Sequence, residues 1–75
     1  MYEEIAEQVR VAALAGSKIA MFHFQVLKNA QALSNDEPID FCRRIGVPES
    51  YATEFRKMLA LAQVIKRHGL TISKA

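Results

Sequence analysis

PIDFCRRIGVPESYATEFRK, residues Pro38 to Lys57, is the stretch whose reading decides the fold. A short helix is read from Pro38 to about Ile45. Gly46-Val47-Pro48 then reads as a tight turn. Gly46 can take the left-handed conformation that stops a helix, and Pro48 pre-sets the first turn of the next one. From Pro48 to His68 the apolar residues Tyr51, Phe55, Met58, Leu59, Ala62 and Ile65 line one inner face. Lys66, Arg67 and His68 fall in the last turn of that long helix, where cations suit the helix dipole. Gly69 is a stop, and Leu70 is placed for the apolar contact that accompanies such stops.

Upstream, Ser34-Asn35-Asp36-Glu37-Pro38 carries helix-start chemistry, with small polar caps and a proline for the first turn. A first helix is predicted from Tyr2 to Ala15. Its inner face is Tyr2, Ile5, Val9, Ala12 and Ala13, and Glu3, Glu4 and Glu7 sit at the dipole's positive end. Gly16 is a stop and Ser17 a cap for a second helix from Lys18 to Leu33. An unbroken helix through Gly16 is the alternative, at about 1 kcal/mol relative to alanine. The second helix has two apolar stripes. One is Ile19, Phe22, Val26, Ala30 and Leu33, and the other Ala20, Phe24 and Leu27. Such a helix is either central or half of an interface. Residues 70–75 read as a loose tail, in which Ile72 can tuck back. The expected fold is all-α, a small bundle of three to four helices forming one domain over residues 1–75.

The stretch from Pro38 to Lys57 resembles the helix-turn-helix pattern of small DNA-binding proteins of bacterial or phage type. Cys42 stands where that family has a small residue for close helix crossing, usually alanine. Gly46 makes the turn, and Phe41, Ile45, Val47, Ala52 and Phe55 fill the apolar slots. The resemblance implies a helix-turn-helix over residues 38–68 with an extended second helix, whose start enters the major groove of double-stranded DNA. Ser50 and Thr53 would read base edges or phosphates, Arg56 and Lys57 would contact phosphate or, for Arg56, a guanine, and Arg43 and Arg44 would grip the backbone. Glu49 and Glu54 oppose this, because they bring negative charge toward phosphate. Two packed helices also satisfy the pattern without touching DNA.

Composition bounds the rest. The chain has 75 residues, 51% of them hydrophobic, more apolar surface than so small a core can bury. A homodimer or other partner is expected to cover the excess, with Phe22, Phe24, Leu27, Leu61 and Val64 as the interface. Residues 1–40 carry six acids and three bases, whereas residues 41–75 carry seven bases and two acids. The basic half can face phosphate, although an ordinary solvated surface gives the same asymmetry. One cysteine allows no internal disulfide and fits a reducing cytoplasm. No apolar run approaches the roughly 18 residues of a membrane span. His23, between Phe22 and Phe24, reads as a packed residue, and no partner at metal spacing stands beside it or His68. Cys42 reads as a buried small residue. No enzyme, cofactor, metal or small-molecule substrate is expected, and the chain reads as a transcription regulator. The competing reading is a helical adaptor or oligomerisation module using the apolar surfaces alone.

Overall fold

A computed structural model describes residues 1–71; the tail from residue 72 onward, with Ile72, lies outside the described residues. Five α-helices run in the order α1 (Tyr2–Leu14), α2 (Lys18–Lys28), α3 (Ala30–Leu33), α4 (Pro38–Ile45) and α5 (Ala52–Arg67). A 3-10 turn over Glu49–Tyr51 precedes α5. No strand occurs among the described residues.

The two interior stops fall where the glycines are. Gly16 and Gly46 have φ of 77° and 80°, the left-handed region that costs other residues about 1–2 kcal/mol. After α4, the Gly46 N–H donates to the Cys42 carbonyl at 3.0 Å and the Arg43 carbonyl at 3.3 Å, and the Val47 N–H donates to Cys42 at 3.0 Å. These bonds satisfy carbonyls that the helix end would otherwise leave bare. A Cβ at Gly46 would meet nothing within 4 Å, so glycine is favoured there by backbone conformation alone. Gly16 closes α1 the same way, with the Ser17 N–H donating to the Ala12 carbonyl at 2.9 Å. The long-helix alternative through Gly16 is thereby excluded. Ser17 departs from its expected role: its hydroxyl donates back to Ala12 and caps nothing in α2.

Three further expectations are corrected. The helix predicted from Lys18 to Leu33 breaks at Asn29, whose side-chain amide donates to the Gln25 carbonyl at 2.8 Å. Asparagine competes with the backbone in this way and ends helices. The long last helix begins at Ala52 rather than Pro48. Pro48 has an extended ψ of 145°, so it ends the turn instead of opening an α-helix, and a 3-10 turn intervenes. At the far end Leu70 donates its N–H to the Ile65 carbonyl, but its side chain remains exposed.

The start of α4 follows from its sequence. Pro38 occupies the first turn, and the Glu37 carboxylate caps the helix by accepting from the Ile39 and Asp40 N–H groups at 3.1 and 3.0 Å. Those bonds hold the Glu37 carboxyl below its ordinary range, the Asp40 N–H contributing most. Asp36 is used elsewhere: the Tyr2 hydroxyl donates to it at 2.6 Å, tying α1 to the α3–α4 loop.

α2 lies between α1 and α5, and α4 also packs on both. Ile5, Val9, Phe22, Val26, Leu33, Phe41, Cys42, Ile45, Val47, Ala52 and Phe55 form the core. Its centre is aromatic. Phe41 and Phe55 have centroids 4.6 Å apart, and Phe22 meets Phe41 at 6.1 Å and Tyr51 edge-on at 5.1 Å. Every apolar slot of the Pro38–Phe55 pattern is buried. Four residues of the predicted stripes are exposed instead, Ala13, Ile19, Ala20 and Phe24. Gln25, a polar residue that periodicity did not single out, is buried.

Candidate nucleic-acid interface

The helix pair α4–α5 presents the polar residues that sequence singled out. Cys42 and Ala52 are both buried, and their small size lets the two helices come close. Burial holds the Cys42 thiol above its ordinary range, with Glu37 and Glu49 adding to the effect. It is therefore protonated at neutral pH and serves as packing. Ser50 lies exposed in the 3-10 turn, and Thr53, Arg56 and Lys57 lie exposed on the first turns of α5. Arg43 and Arg44 are exposed on α4.

These six residues do not form one uncommitted basic face. The Arg43 guanidinium donates to the Glu49 carboxylate at 2.9 Å. The Arg44 guanidinium lies over the Tyr2 ring, 3.8 Å from its centroid, a cation–π contact. Lys57 reaches Glu54 at 3.3 Å. Arg43 and Arg56 both lie within electrostatic reach of Glu37. Arg43 and Arg56 are thus gathered on the α4 side of the pair, whereas Arg44 turns toward α1 and Lys57 toward α2.

The two acids that oppose phosphate binding are held as well. Glu49 is held by Arg43. Glu54 takes His23 Nε2 at 2.7 Å on one oxygen and Lys57 on the other, and these hydrogen bonds, His23 first, lower its carboxyl below the ordinary range. The His23–Glu54 contact joins residues 31 apart. It escaped the sequence reading because periodicity along α2 cannot show which residue of α5 lies opposite. A histidine interrupting an apolar helix face was the only hint.

The expected partner surface is divided. Phe22 is fully buried in the aromatic core, so it packs the fold and cannot meet a partner. Phe24, Leu61 and Val64 are exposed. Leu27 is half-buried and lines a groove with Ala30, Leu59, Ala62, Ile65 and Leu70 beneath the end of α5.

A glycine-turned helix pair over an aromatic core, with polar residues at the start of the second helix, defines a small all-α helix-turn-helix-type domain. The chain belongs to the family described as the HTH-like domain, whose sequence model matches residues 1–68. The match includes α1 and α2, so the whole bundle is the family's unit, beyond the twenty-residue pattern alone. No curated protein and no solved structure matches the chain significantly. No helix among the described residues is long and apolar enough to cross a membrane.

Proposed function

We propose that this chain binds double-stranded DNA through the α4–α5 pair and acts as a small transcription regulator in the cytoplasm. The observation that carries the reading is a buried helix–glycine turn–helix that leaves Ser50, Thr53, Arg56 and Lys57 exposed where a reading helix begins. On this reading the start of α5 enters the major groove, and Ser50 and Thr53 meet base edges or phosphates. Arg43 and Arg56 take phosphate from the α4 side, and Lys57 takes it from the other. Arg44 reaches the backbone by leaving the Tyr2 ring.

The acids act as competitors within this surface. Exposed ion pairs contribute only about 0–1 kcal/mol, so phosphate can displace Glu49 from Arg43. Glu49→Gln removes that competition along with a repulsive charge. It is expected to tighten binding to a duplex about three- to fivefold at fixed salt, the equivalent of about 0.6–1 kcal/mol. The check is fluorescence anisotropy of both proteins on one labelled duplex. Weaker binding by Glu49→Gln would mean that Glu49 itself contacts the bases and that the competition account is wrong.

The reading includes a homodimer. Phe24, Leu61 and Val64 are each about 40% exposed, and small readers of this kind use two half-sites. These three side chains, with Leu27 at the groove edge, are the contact we assign. Sedimentation equilibrium is expected to show a monomer–dimer equilibrium that Leu61→Asp shifts to monomer; a monomer at every concentration would remove the dimer.

A further inference from the structure

We propose that His23 is a positioning residue for the DNA-facing end of α5, and that DNA binding takes up a proton at the His23–Glu54 pair. The inference rests on the DNA reading above and adds a pH dependence to that same site.

Glu54 sits on the first turn of α5, beside Thr53 and one turn before Lys57. His23 reaches it from α2, outside the helix pair, with Nε2 2.7 Å from Oε1. The other Glu54 oxygen holds Lys57. The His23 and Glu54 side chains are 31% and 28% exposed, so water screens this pair less than the Arg43–Glu49 pair, at 64% and 53%. The surroundings are sparse in charge. From α5 only Glu54 and Lys57 are bonded into the cluster. α3 carries no ionisable side chain. The acids of α1 lie along the Met21 and Gln25 side of α2, away from α5. On α2 itself, Lys18 lies over the Tyr51 ring.

With a neutral imidazole, Glu54 presents a negative charge where phosphate must approach, and it holds Lys57 back. With an imidazolium, the His23–Glu54 pair is neutral and Lys57 supplies a net positive charge. DNA therefore favours the protonated form. By linkage, a ligand that prefers the protonated state binds more tightly as pH falls. Histidine is the side chain whose charge ordinarily changes between pH 5 and 8.

The test measures anisotropy on one labelled duplex at pH 6.0 and pH 8.0, at constant ionic strength, for four proteins. The unmodified chain is expected to bind about three- to tenfold more tightly at pH 6.0. His23→Gln is expected to lose that pH dependence while keeping a native circular dichroism spectrum. Glu54→Gln is expected to bind tightly at both pH values, and it decides the matter if His23→Gln does not fold. His68→Gln, altered at the far end of α5, is expected to keep the full dependence. An equal pH dependence in His23→Gln, or in Glu54→Gln where it is the deciding variant, overturns the inference and leaves DNA binding standing. No binding by the unmodified chain at either pH overturns the DNA reading and this inference with it.

Discussion

Replacing Phe55 by alanine will remove most of the domain's stability. The Phe55 side chain is fully buried and stacks on Phe41 at a centroid distance of 4.6 Å. It is the point where α5 meets α4 and the rest of the aromatic core. Phenylalanine-to-alanine changes at such sites cost about 3–5 kcal/mol, from lost transfer energy and the cavity left behind. A chain of this size has a total stability near the lower end of about 5–15 kcal/mol, so the change consumes most of it. Thermal denaturation followed by circular dichroism is expected to show a fall in Tm of more than about 12 °C. A fall under about 4 °C would mean that α5 docks without this ring, and the core described here would be wrong.

The second large effect is on binding. Arg56→Ala combined with Lys57→Ala will weaken DNA binding strongly and leave the fold intact. Both side chains are exposed and neither packs in the core, so the helical signal should be unchanged. Loss of two phosphate contacts lowers the slope of log affinity against log salt by about two. It lowers affinity by about thirty- to 160-fold at fixed salt, taking 1–1.5 kcal/mol for each contact. The double change also frees Glu54 from Lys57, which adds repulsion. Affinity that survives the double change at fixed salt would place the DNA contacts elsewhere, with Lys66 and Arg67 at the far end of α5 as the remaining bases of that helix.

Much of the fold was legible because the deciding residues act locally. Gly46 stops α4 through bonds to residues three to five positions back, and Phe41, Ile45, Val47 and Phe55 are buried as the helix-turn-helix pattern implies. The breaks at Asn29 and after Pro48 were less visible. Each depends on one residue's local alternative, an amide bonding a carbonyl and an extended proline, and apolar spacing continues through both. Phe22 was assigned to a partner because a helix apolar on two sides does not reveal which stripe the core takes. The site was legible as a set of residue types and illegible as a set of pairings. Arg43 with Glu49, Arg44 with Tyr2 and His23 with Glu54 are each fixed by how helices pack. Those pairings change the chemistry, since Arg43, Arg44 and Lys57 already hold an acid or a ring.

On the proposed reading, the exposed start of α5 and the flanking bases of α4 bind a DNA duplex. The most direct test of that binding is fluorescence anisotropy of the purified chain against a random labelled duplex across a salt series. The account predicts micromolar binding at low salt that weakens steeply as salt rises, because the affinity is mostly phosphate neutralisation. No binding at low salt would contradict it and would leave Phe24, Leu61 and Val64, as a surface for another protein, to explain the family's fold.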